Sequence, residues 1–189
     1  MSNHDTAAFS RRRFVGTVCP MIAGGLAFPR SLLRAQQQGQ AGFWSEFTPE
    51  EQAVITGSSM ALDVPNYMGQ GLGCAEICLA ASCRYMGVSD QWIDAAAVFS
   101  GGFGKGDLCG LLTGGLMAMG IAAGKLYEGR AELKQFARGL KDEYWDWWTA
   151  RGPVHCAELR QLYSGSEQFT RMTQRAAAEV EHLIERAGA

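Results

Sequence analysis

Six cysteines set the chemistry open to this chain. Cys19 lies in a basic N-terminal stretch, and the other five, Cys74, Cys78, Cys83, Cys109 and Cys156, belong to the body. An odd number of thiols cannot form a complete set of internal disulfides. Four thiolates and one bystander, by contrast, suit a soft metal centre. In Cys74-Ala75-Glu76-Ile77-Cys78 two thiols stand four residues apart, which on a helix places them on one face, one turn apart. Cys83 follows Cys78 by five residues, a rotation of about 140° at the helical period, so it reads as a buried thiol that points away from the pair. Cys109 follows a glycine loop, and Cys156 follows Gly152-Pro153-Val154-His155. Both positions predict helix N-termini, where free N–H groups and the macrodipole favour thiolate and lower the thiol pKa. Cys74, Cys78, Cys109 and Cys156 are therefore the candidate metal and cofactor ligands. The chemistry they predict is an iron–sulfur cluster, which needs four thiolates, a dry pocket and N–H donors to its sulfurs. A two-iron cluster is favoured over a four-iron one. Tetrahedral zinc is the alternative occupant of the same thiolates.

Sharper motifs are missing. There is no C-x-x-C and hence no thioredoxin signature, and no C-x-x-C-H for covalent haem. Gly101-Gly102-Phe103-Gly104-Lys105-Gly106-Asp107 precedes no G-K-[ST] and follows a helix pattern, which argues against a phosphate loop and leaves it as a source of N–H donors. His182 falls on a polar helix face and reads as solvated. His155, beside Cys156, reads as an exposed first-turn histidine, the alternative being a group that protonates or hydrogen-bonds a sulfur near neutral pH. The Tyr144, Trp145, Trp147 and Trp148 cluster reads as packing.

The elements that must position the thiols are all helical. Thr48-Pro49-Glu50-Glu51 has a hydroxyl cap, a first-turn proline and a glutamate three residues after the cap. It predicts a helix running to about residue 62 and stopping before Pro65. Further helices are expected over 74–86, 89–99, 108–124, 130–150, 155–162 and 167–187. Over 130–150, Leu133, Phe136, Ala137, Leu140, Tyr144 and Trp148 recur at helical spacing. Alternation is absent and β-branched residues are scarce. The expected fold is all-α, a compact multi-helix bundle with a glycine-rich buried central helix. That helix, 108–124, is uncharged but carries five glycines, and at 1.5 Å per residue it reaches only about 26 Å. It therefore reads as a core helix approached closely by its neighbours, not as a membrane span.

Of 189 residues, 47% are hydrophobic and 19% charged, a composition that fits one globular domain with a real core. Residues 1–41 hold five basic residues and one acidic one, which leaves 12 basic against 18 acidic in 42–189. An acidic body without a basic stripe excludes nucleic acid as a partner and argues against docking on anionic lipid. Ser10-Arg11-Arg12-Arg13-Phe14-Val15-Gly16, ahead of a weakly apolar run to Phe28, resembles a twin-arginine export signal. The expected division is a signal peptide and linker over 1–41 and a single helical domain over 42–189. The expected location is the periplasm or another exported compartment, with tethering at the membrane if the signal stays uncleaved.

Gly73-Cys74-Ala75-Glu76-Ile77-Cys78 matches G-C-A-x-x-C, Cys109-Gly110-Leu111-Leu112-Thr113-Gly114 matches most of C-G-A-x-x-G, and Cys156 sits where a third element falls. The combination resembles the redox-active family named for its C…GCAxxC…C…C pattern, over roughly residues 50–165. It is also similar to the non-haem part of split-Soret cytochromes, whose related cysteines are associated with an iron–sulfur cluster. The resemblance implies a redox role for Cys74, Cys78, Cys109 and Cys156, a redox partner protein and, since members are often encoded beside transporter genes, a membrane transporter as a further partner. Leu111 departs from the alanine of the pattern. No cysteine lies between Pro20 and Gly73, which leaves Cys83 as an alternative member of the set. The expected function is electron transfer or redox sensing through a cluster. The alternatives are a thiol–disulfide oxidoreductase and a zinc- or disulfide-stapled adaptor for a membrane transporter.

Overall fold

The computed structural model describes residues 48–163 and 165–188; the twin-arginine motif and Cys19 lie outside them. Among the described residues the fold is all-α, with a single isolated β-bridge and no strand. Seven principal helices follow in order: α1 Pro49–Gly57, α2 Ser59–Tyr67, α3 Cys74–Met86, α4 Gly110–Leu126, α5 Arg130–Thr149, α6 Cys156–Leu162 and α7 Ser166–Arg186. Between α3 and α4 the chain makes short turns at Asp90–Trp92, Ile93–Ala96 and Ala97–Phe99, then a wider turn at Gly102–Gly106.

The glycine-rich helix α4 occupies the centre, in contact with α3, α5 and α7. Its first six residues, Gly110 to Gly115, are buried, while Gly120 and Gly124 reach solvent. No described helix is long and apolar enough to cross a membrane. Around α4 pack Ile77 and Leu79 of α3, Tyr144 and Trp148 of α5, and Val180 and Ile184 of α7, all but fully buried.

Thr48 and Glu51 form the expected capping box. The first helix does not continue to residue 62, however: it ends at Gly57, and a new one starts at Ser59 and runs through Pro65. The cause is a carboxylate from the far end of the chain. Glu181 of α7 is buried against the start of α2, where it accepts hydrogen bonds from Ser58 Oγ at 2.6 Å, Met60 N at 2.6 Å, and Ser59 N and Oγ at 3.1 and 3.0 Å. These donors satisfy a buried anion at a helix N-terminus, where the dipole also favours it. Ser58 Oγ in turn accepts from Ala61 N at 3.0 Å. Pro65 deprives the Ala61 carbonyl of its helical partner, and Gln174 Nε2 of α7 donates to that oxygen at 3.2 Å instead. Helix α7 thus repairs both irregularities of α2.

Replacing Glu181 by alanine strands several buried donors, so the expected cost is about 3 kcal/mol. Thermal denaturation should show this as a melting point lowered by about 6–12 °C. Glu181→Gln, which keeps one acceptor oxygen, should lose less; an unchanged melting point in the alanine variant would contradict this role.

Candidate redox site

Three helix starts meet at one end of the bundle, and each carries a cysteine. Helix α3 begins on Cys74, capped by Gly73, whose N–H donates to Glu76 Oε2 at 2.8 Å. A side chain at residue 73 would collide with Ser100, whose Oγ accepts from Ala75 N at 3.4 Å. The next residue, Gly101, donates its N–H to Cys74 Sγ at 3.5 Å. From there the chain turns left-handed, with φ of 66°, 60°, 57° and 66° at Gly101, Gly102, Phe103 and Gly104. Consecutive residues in this region are costly for anything but glycine. Phe103 accepts that cost with its ring against Phe99, 5.4 Å between centroids. The glycine loop expected from the sequence is therefore an ordered turn that supplies at least one N–H to a cysteine sulfur.

The other two starts are tied backbone to backbone. Cys109 N donates to Val154 O at 2.8 Å and Cys156 N to Asp107 O at 2.7 Å, on either side of the Leu108–His155 bridge. Trp148 Nε1 donates to Pro153 O at 2.9 Å and so anchors the strap that delivers Cys156. Helix α4 then lies against α3 without the thickness of a side chain. A Cβ on Gly110 would run into Cys74 Sγ and approach Ala75 N to 2.9 Å, and one on Gly114 would come within 2.5 Å of Ala75 O.

The result is a cavity of about 470 Å³ whose wall includes Cys74, Cys109 and Cys156. Leu72, Leu159, Tyr163, Phe169 and Met172 line its apolar side, and Arg160 completes it. Cys74 is half-buried, while Cys109 and Cys156 are buried. Cys78 is fully buried one turn behind Cys74 and does not line the cavity. Cys83 is buried in the core away from it. His155 is exposed, with Nδ1 3.1 Å from Asp107 Oδ1, and His182 is exposed on α7. Of the aromatic cluster, Tyr144 and Trp148 are core residues.

The electrostatics overturn one expectation. Cys109 does receive help from the N–H groups of Leu111 and Leu112, yet its thiol pKa is raised, first by burial and then by the charge of Cys74. Taking an anion out of water costs more than two N–H donors return. Burial likewise pushes Cys78 up to about 12, with the neighbouring Cys74 adding to it, and raises Cys83, next to Asp90. All five described cysteines are free thiols.

The family model described as Putative redox-active protein (C_GCAxxG_C_C) matches residues 72–186. The chain belongs to this family. No curated protein and no solved structure matches it. The match to this redox-active family spans all three cysteine-bearing helix starts and closes within α7. The family label reads G-C-A-x-x-G, with glycine where the pattern expected from the sequence has a second cysteine, whereas the chain's own G-C-A at residues 73–75 is followed by Cys78. Cys78 is therefore this chain's own residue at that place in the label.

The donor set suits a soft centre: three thiols on a largely apolar cavity, a fourth one turn behind, and an N–H donor aimed at sulfur. Among the described residues, no three His, Cys, Asp or Glu side chains are gathered tightly enough to grip a single metal ion. Four thiolates on one zinc would need sulfurs about 3.8 Å apart, given Zn–S near 2.3 Å. The thiols instead border a space. Sequence reasoning missed Arg160 and the apolar wall; the one available signal was the spacing of four residues from Cys156 to Arg160, which puts the two on one face of α6.

Two expectations follow. Gly114→Ala should cost about 1–3 kcal/mol by wedging α3 from α4, whereas Gly120→Ala, exposed and with nothing within 4 Å, should be stabilising by about 0.5–1 kcal/mol. Chemical denaturation of both variants measures this, and equal effects would contradict the close approach. In the folded, metal-free chain near pH 8, iodoacetamide should modify Cys74 first and leave Cys78 untouched, since burial shields that thiol and keeps it protonated up to about pH 12. Residue-resolved mass spectrometry reads the order, and early modification of Cys78 would contradict it.

Proposed function

We propose that this chain is an electron-transfer or redox-sensing protein that holds an iron–sulfur cluster, of the two-iron type, in the cavity between the starts of α3, α4 and α6. The observation that carries the proposal is the meeting of Cys74, Cys109 and Cys156 on one cavity wall. Cys78, one turn behind Cys74 on the same helix, is the fourth thiolate in this reading. When bound, such a cluster supplies a one-electron couple. The chain's own part is to deliver thiols, exclude water and donate hydrogen bonds. Buried thiols whose pKa is raised would have to give up their protons to solvent to act as ligands, so loading would be favoured as pH rises. The Gly101 N–H on Cys74 Sγ stabilises negative charge on that sulfur. The largely apolar wall keeps the local dielectric low and makes each such contact count for more. The twin-arginine-like leader is consistent with export after the site is filled, and a redox partner, with a membrane transporter as a candidate, would then meet the protein outside the cytoplasm.

Protein produced and purified without oxygen tests the reading. Iron and acid-labile sulfide in equal amounts are expected, together with visible absorption and a paramagnetic signal on reduction. Cys74→Ser, Cys109→Ser and Cys156→Ser should each abolish or greatly reduce iron content, while Cys83→Ser should leave it unchanged. A colourless protein without iron after reconstitution would overturn the proposal. If that protein instead turned over a disulfide substrate, the same thiols would be working by thiol–disulfide exchange.

A further inference from the structure

The cavity has a feature that thiol ligation of a cluster does not use. Arg160 stands four residues after Cys156 on α6, and its Nη2 lies 3.2 Å from the position a Cβ on Gly101 would take, over the residue whose N–H meets Cys74. It is exposed at the cavity and has neither a carboxylate nor a hydrogen-bond partner among the described residues. The other charged side chains around α6 do not line the cavity. The same cavity is lined by Phe169, Tyr163, Met172 and Leu159. A mostly apolar pocket of several hundred cubic ångströms with one well-placed polar group has the make-up of a small-molecule site. A guanidinium fork matches a carboxylate in shape as well as charge.

We infer that this cavity binds a small organic carboxylate, its anionic end on Arg160 and its apolar or sulfur-bearing body among Leu159, Phe169 and Met172, beside the cysteine thiols. The inference rests on the cavity being the working site proposed above and names the class of molecule that reaches it. A carboxylate is preferred to a neutral molecule because Arg160 is the one charged side chain lining the cavity among the described residues and has no carboxylate partner there. It is preferred to a larger polyanion because a single cation lines the space.

The test uses the reduced, iron-free full chain, so that it reads the same whether or not a cluster forms. Iodoacetamide modifies Cys74 while 3-phenylpropionate, or its uncharged amide, is added at increasing concentration, and mass spectrometry follows Cys74 and Cys83 separately. The expected result is saturable protection of Cys74 by the acid and none by the amide, with Cys83 unaffected. Arg160→Gln should raise the half-protecting concentration about tenfold, and Arg160→Lys, which keeps the charge but not the fork, should fall between. Equal protection by acid and amide, no protection by either, or an Arg160→Gln variant that behaves as the parent would each overturn the inference. Loss of the cluster reading alone, seen as absence of iron, would leave this result standing.

Discussion

The missing side chains of Gly110 and Gly114 are the constraint on which the site depends. They let the backbone of α4 settle directly on the first turn of α3, so that Cys74 and Cys109 face the same space. Close-packed interiors do not absorb an extra methyl group without shifting a neighbour. Here the neighbours include the main-chain nitrogen and carbonyl of Ala75, which cannot turn aside as a flexible side chain would. The contact between two helices and the spacing between two thiols are thus one geometric fact.

The third thiol joins by another route. A pair of backbone hydrogen bonds on either side of the Leu108–His155 bridge ties the start of α6 to the start of α4, and the buried Trp148 holds the preceding strap through Pro153. Backbone pairing of this kind fixes Cys156 relative to Cys109 with little dependence on side-chain rotamers. The left-handed turn at Gly101–Gly104 closes the remaining side and points an N–H at Cys74. Strain held beside a cavity is typical of sites where function over-determines the backbone, and Phe103, between the lining residues Gly101 and Gly104, is where that strain is visible.

Much of this was legible from local chemistry. The Thr48–Glu51 box, the glycine before Cys74 and after Met86, and the break at Gly152-Pro153 mark helix ends because capping is decided within a few residues. The start of α2 was not legible, because it depends on Glu181, 123 residues away from Ser58. That three cysteines open helices could be read from their neighbours. That burial outweighs the N–H donors at Cys109 could not, since desolvation is a property of the packed interior. Cys78 shares a helix face with Cys74, as its spacing requires, yet the cavity wall takes only the first of the pair. Arg160 escaped notice because its spacing of four residues from Cys156 is a weak signal until the cavity they both line is known.

The central claim is that thiols from three separate helix starts serve a single centre. Anomalous diffraction at the iron edge, from crystals of protein purified and loaded without oxygen, tests it most directly. The account predicts one compact anomalous peak inside the cavity, in contact with the sulfurs of Cys74, Cys109 and Cys156. Iron bound elsewhere on the chain, or held by fewer than all three of those sulfurs, would contradict it.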